Sequence, residues 1–154
     1  MNMDNKIKKK RYQRLFLQLK KLLENSNNPI ANMATIVAVL HNKIDYFFWT
    51  GFYLLDNSEL IVGPYQGSLA CLKLKKNIGV CWAGINQKKT IIIDDVENFA
   101  GHTACDSRSK SEIVIPLKNI KGEIIGVFDV DSKLTNSFDE TDAEGLENIN
   151  KLIF

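Results

Sequence analysis

No stretch of this chain stays apolar for the roughly 20 residues that a membrane-spanning helix requires. The basic N-terminal run MNMDNKIKKKRYQRL has no apolar core after it and no small-residue cleavage site, so it does not read as a secretory leader. Excess charge is lacking too. Twenty Lys and Arg stand against 18 Asp and Glu, which gives no surface dedicated to nucleic acid or to a membrane. There is no internal repeat, low-complexity tract or linker. Cysteine is scarce: three residues, an odd number, widely spaced and without a CxxC pair. These absences predict a cytosolic protein in which thiols stay reduced and any disulfide is transient or catalytic. At 154 residues the chain is long enough for one domain with a core that needs no disulfide staple.

What is present has a clear order. Between Asn5 and Asn25 the residues Tyr12, Leu15, Phe16, Leu19, Leu22 and Leu23 recur at helical spacing. The cluster Lys6, Lys8, Lys9, Lys10 and Arg11 falls on what reads as a solvated face. Asn28 is placed to cap a second helix with Pro29 at its first position, and Ile30, Met33, Ala34, Val37, Ala38 and Leu40 give that helix a broad apolar face. From Tyr46 the texture becomes aromatic and β-rich. Strands are expected over Tyr46–Leu55 and Glu59–Val62, joined by the turn at Asp56, Asn57 and Ser58, with Gly63, Pro64 and Gly67 loosening the chain beyond. A weaker strand is expected over Cys71–Leu74, a short helix over Ile78–Asn86 and a brief strand over Thr90–Asp94. Ile113–Lys118 and Glu123–Val130 form a second hairpin, and a last helix opens at the acidic turn after Phe138. The expectation is an α+β domain with a central antiparallel sheet of about six strands and helices packed on one face. Residues 1–45 would supply the N-terminal helices, 46–135 the sheet and active-site loops, and 136–154 the C-terminal helix.

Chemistry concentrates in Gly101–Pro116, GHTACDSRSKSEIVIP. The part to Lys110 has no apolar periodicity and reads as a loop, which places Cys105 where chain is usually exposed. Cys81, between Val80 and Trp82, suits the ordinary role of a small buried hydrophobe, whereas Cys105, between Ala104 and Asp106, does not. Arg108 and Lys110 favour a thiolate at Cys105 and Asp106 opposes it. A zinc site built from His102 and the three cysteines lacks the close ligand pairs that structural zinc uses, so no metal and no cofactor is expected. Glu112 opens one strand of the last hairpin, and Asp129 and Asp131, two apart, share a face of the other. Strand-end carboxylates are commonly solvent-facing. Three beside a cysteine loop would instead hold an ammonium group or keep a proton for a leaving oxygen. Trp49, Phe52 and Tyr53 either wall the same cavity or pack in the core.

The segments WTGFYLL, GPYQGSLAC, GVC, GHTACDS, SEIVIPL and IIGVFDVDS, in this order and close to this spacing, resemble the free methionine-R-sulfoxide reductases, small enzymes with the GAF fold. The resemblance implies reduction of free methionine-R-sulfoxide to methionine. It implies Cys105 as the nucleophile that becomes a sulfenic acid, and a second cysteine, Cys71 before Cys81, that condenses with it to a disulfide recycled by thioredoxin. It places Trp49 and Tyr53 at the methyl and sulfur end of the substrate, and Glu112, Asp129 and Asp131 as its carboxylates. It also suggests a homodimer. Two positions depart from the family: Phe48 stands where asparagine is common, and Trp82 follows Cys81 where glycine is usual. The rival readings are a non-catalytic GAF module that binds a small ligand and a thiol redox sensor without turnover.

Overall fold

A computed structural model describes residues 4–102 and 105–154. Thr103 and Ala104, inside the expected GHTACDS loop, and residues 1–3 lie outside the described residues.

Two helices open the chain, α1 (Asn5–Leu23) and α2 (Pro29–Lys43). Asp4 caps α1 by accepting from the Lys6 amide. Asn28 caps α2 by accepting from Ala31, with Pro29 in the first turn, where its missing N–H leaves nothing unpaired. The strands β1 (Trp49–Asp56) and β2 (Glu59–Gln66) form a hairpin. Its turn residues Asn57 and Ser58 both have positive φ, 48° and 63°, the twist-matched geometry of a two-residue hairpin. After the short β3 (Lys73–Leu74) come helix α3 (Val80–Gln87) and β4 (Ile91–Ile93). The second hairpin is β5 (Ser111–Lys118) and β6 (Ile124–Ser132), and α4 (Glu140–Asn150) closes the fold behind a capping box of Asp139 and Asp142.

The six strands make one antiparallel sheet in the order β3-β2-β1-β6-β5-β4. Side chains alternate across it. Phe52, Phe128, Val130, Ile113, Ile115 and Leu117 point into a core filled by Leu15, Leu19, Ile36, Leu40, Leu146 and Ile149 of α1, α2 and α4. Tyr53, Val114 and Val127 point the other way, where Val80, Cys81 and Trp82 of α3 cover them. The expected helical layer on one face is therefore formed by α1, α2 and α4, and α3 caps the opposite face. Gly84 allows this, because a Cβ there would stand 2.9 Å from a methyl of Val114.

Three local readings change. Gly63 and Pro64 do not end β2, which runs on to Gln66. The register shift between Gly51 and Tyr53 sets both residues opposite Phe52, a bulge in which proline's missing N–H breaks no ladder bond. Leu22 and Ile30 are exposed, not on the buried faces of their helices. Lys8 is not on a solvated face: it is 5% exposed, and its ammonium bonds Asp142 at 2.6 Å and Asp139 at 2.8 Å.

Candidate active site

The strand register builds the floor of the site. Glu112 of β5 faces Asp131 of β6 directly, and Asp131 in turn faces Trp49 of β1. Two residues along β6, Asp129 sits between Val114 and Gly51. All three acids therefore share the face that α3 covers, at one end of the central hairpins. Gly51 is required there. The Trp49 ring folds over it, and a Cβ would come within 2.6 Å of that ring. Trp49 stacks between Tyr53 and Tyr65, with ring centroids 5.7 and 5.4 Å away, and its indole N–H donates to the Ser68 carbonyl at 3.1 Å. Gly67 has φ +122° and lies so close to the Phe48 carbonyl that no side chain fits.

Trp49, Tyr53, Ser68 and the three acids line a cavity of about 70 Å³. Trp49 and Tyr53 form one wall, Glu112, Asp129 and Asp131 the floor, and the start of α3, Gly79 to Cys81, another wall. Cys105 stands at its edge. Cys71 is bonded to Cys105 in a disulfide that spans 34 residues, with Cα atoms 5.6 Å apart, within the usual range for such a bridge. The Tyr53 hydroxyl donates to the Cys71 carbonyl at 3.0 Å, which ties the disulfide to β1. Cys81 is free and buried, as its apolar flanks predict. The fold thus brings together Trp49, Tyr53, Cys71, Cys81, Cys105, Glu112, Asp129 and Asp131, whereas Phe52 packs in the core on the opposite face. It does not assemble His102 with three cysteines, because two of those cysteines are bonded to each other.

Burial dominates the electrostatics. It pushes the Glu112 carboxyl well up, and the nearby charges of Asp129 and Asp131 add to the effect. Asp131 is raised by burial and by Asp129, against a hydrogen bond from Ser109. Asp129 rises to about 6 by burial, restrained by the neighbouring Glu112 and Cys81 groups. The Cys81 thiol is raised by burial first and then by the three acids, so it stays protonated. His102 Nδ1 lies 4.0 Å from a Glu112 oxygen, but burial lowers its pKa and the ring stays neutral. Burial therefore favours the protonated form of Glu112 and Asp131 over their carboxylates. The floor can give a proton up to a substrate oxygen or exchange one for an ammonium group.

Opposite the acids, the N-terminal residues of α3 have no side-chain cap, which leaves amide donors at the positive end of a helix dipole along the cavity. The loop after Cys105 is pinned from outside. Arg108 forks onto Asp106 at 2.9 and 2.7 Å, holding that carboxyl well below the usual range, and its guanidinium lies 4.9 Å from the Phe48 ring centroid. Lys133 approaches the same ring at 4.6 Å. Phe48, an oddity in the sequence, is thus an anchor for the cysteine loop. Trp82, the other oddity, is buried behind Cys81 in the α3 layer. Ser68, Asp106 and Ser109 also line the cavity; of these the sequence named only Asp106, as a charge opposing the Cys105 thiolate. Only the position of Ser68 inside the GPYQGSLAC segment pointed to it.

The profile of the GAF domain family matches residues 33–153. GAF domain-containing protein A of Dictyostelium discoideum is 50% identical over 95% of this chain and 92% of its own length. Free methionine-R-sulfoxide reductase of Escherichia coli is 38% identical over 83% of this chain and 77% of its own. The X-ray structure of free methionine-R-sulfoxide reductase from Neisseria meningitidis in complex with its substrate superposes with a TM-score of 0.87. It has 38% identity and covers 92% of this chain and 85% of that one. The protein is thus a GAF domain that carries a cysteine pair beside its ligand cavity. Within that fold it belongs to the free methionine-R-sulfoxide reductase family, whose members are oxidoreductases.

Proposed function

We propose that this protein reduces free methionine-R-sulfoxide to methionine with Cys105 as nucleophile. The observation that carries the reading is the Cys71–Cys105 disulfide, set at the edge of a cavity floored by three acids, two of them buried, and walled by stacked aromatics. Names of relatives alone do not distinguish this enzyme from a regulatory GAF module; a thiol pair placed on the cavity favours the enzyme.

In this reading the substrate's ammonium lies against the carboxylates, and its carboxylate takes the amides at the start of α3. Its methyl and sulfur end lies on Trp49 and Tyr53. The Cys105 thiolate attacks sulfur while Glu112 or Asp131, kept protonated by burial, gives a proton to the sulfoxide oxygen. The S–O bond of the substrate breaks and oxygen passes to Cys105, giving methionine and a cysteine sulfenic acid. The Cys71 thiol then attacks Cys105, the sulfenic oxygen leaves as water, and the disulfide forms. A dithiol, assigned here to thioredoxin, returns both thiols at the cost of its own two electrons. Cys81 takes no step in this cycle. A cytosolic setting, a homodimer and action of residues 1–154 as one GAF-like unit belong to the same proposal.

The test is turnover by fully reduced protein with the separate R and S epimers of free methionine sulfoxide, thioredoxin as reductant and Cys105→Ser as control. Methionine from the R epimer alone, abolished by the substitution, is expected. No methionine from either epimer, from protein with three free thiols, would sink the reading in favour of a redox sensor or a ligand-binding module.

A further inference from the structure

Cys81 is the thiol that the proposed cycle leaves unused, yet it is set among acids. Its Sγ and carboxylate oxygens of Glu112 and Asp129 all lie within 4.8 Å of one another. The three residues are 4%, 5% and 6% exposed, so water does little to offset the proximity of their acidic groups. They come from three separate elements, the first turn of α3, β5 and β6, whose mutual packing fixes the triangle before anything binds. Asp129 lines the cavity, and its Oδ1 is buried without a hydrogen-bond partner. Among the described residues no lysine or arginine pairs with any of the three. The one basic neighbour is His102, with Nδ1 4.0 Å from Glu112 and a buried, unpartnered Nε2.

We propose that Cys81, Glu112 and Asp129 form a three-donor binding site for a thiophilic divalent cation, zinc foremost. A thiolate and two carboxylate oxygens are a donor set that zinc takes in four-coordinate geometry with water in the fourth position, whereas the thiolate disfavours magnesium and calcium. Bond lengths of about 2.0–2.3 Å put donors in a zinc tetrahedron roughly 3.3–3.7 Å apart, a spacing that side-chain adjustment within the fixed backbone triangle can reach. The cation supplies the positive charge that lets these buried acidic groups ionise together, and its binding releases the protons they otherwise hold. Zinc here also occupies two of the acids that hold substrate in the proposed function. A loaded enzyme would therefore exclude methionine sulfoxide. That consequence rests on the reductase reading, while cation binding itself does not.

The experiment uses the full chain oxidised at Cys71–Cys105, so that Cys81 is its one available thiol. It is titrated with zinc chloride by calorimetry and with cobalt chloride by absorbance. One saturable equivalent, proton release and a thiolate-to-cobalt charge-transfer band are expected. Cys81→Ser should remove the band, and both it and Asp129→Asn should weaken zinc by more than about tenfold, the loss that even an outer-shell change causes. No saturable binding, no charge-transfer band in the unaltered protein, or an unchanged zinc affinity in folded Cys81→Ser would overturn the site. If zinc binds as described while the reduced, zinc-free protein turns over neither epimer, the reductase reading falls and the metal site stands.

Discussion

Glu112 and Asp131 are register partners across β5 and β6, so two acidic side chains lie side by side on the covered face of the sheet. Like charges opposite one another destabilise a sheet, and burial adds to that cost. Both carboxyls are consequently raised above their unfolded values. Above about pH 4, where unfolded carboxyls ionise, these two groups hold more protons in the folded chain than in the unfolded one. The contribution of these groups to stability is thus full below that pH and is lost as pH rises toward the folded values.

Glu112→Gln and Asp131→Asn should each raise the melting temperature at about pH 8 by about 3 °C, the shift that roughly 1 kcal/mol gives a domain of this size. The gain should shrink near pH 4, and methionine formation should fall by about a hundredfold, within the range for loss of a general acid. Thermal melts at the two pH values, beside a turnover assay, check this. A drop in stability at the higher pH would show that the acids are held by partners and are not under strain.

The cysteines divide by position. Cys71 is bonded to Cys105, and Cys81 is free and buried. With Cys71→Ser, one equivalent of methionine should form per enzyme and Cys105 should accumulate as a sulfenic acid trapped by dimedone. With Cys81→Ser, the disulfide should still close. Mass analysis of enzyme quenched after one turnover reads both outcomes, and a trapped sulfenic acid in Cys81→Ser alone would reverse the roles.

Phe48 carries two cations on its ring, and one of them, Arg108, grips Asp106 beside Cys105. Each exposed cation–π contact is worth about 0.5–1 kcal/mol. Phe48→Asn should therefore slow disulfide closure after peroxide treatment of the reduced protein by about fivefold, the factor that about 1 kcal/mol gives. Phe48→Tyr keeps the ring and should close at the parent rate. Equal slowing in both variants would mean that the ring face is not what holds the loop.

Much of this was legible in the sequence, for physical reasons that differ by element. Helical periodicity and the Asn28-Pro29 start mark α2 because its signals are local, and Asp129 and Asp131 share a face because strand side chains alternate. The placing of α3 on the far face was not legible, since eight residues with apolar flanks give no direction until Gly84 meets Val114. The extension of β2 through Pro64 was hidden because a bulge tolerates the residue that usually ends a strand. Ser109 and Asp106 reached the cavity by loop geometry, which no periodicity encodes. Lys8 misled most, because the residue that buries it lies 134 positions away.

That ion pair gives the last prediction. Asp142 is fully buried and accepts from Lys8 at 2.6 Å and from the Tyr12 and Tyr46 hydroxyls at 2.8 and 2.5 Å. Burial pushes both phenols up, so they remain donors, but neither brings positive charge. Lys8→Met leaves a buried carboxylate without its cation, at a cost of about 3–5 kcal/mol, and should lower the melting temperature by roughly 10 °C. Adding Asp142→Asn removes the stranded charge while keeping an acceptor for both phenols, and should recover more than half of that loss. Melts of the single and double variants decide it. If the double variant is no better than Lys8→Met, the loss lies in the packing of the lysine stem and not in the uncompensated charge.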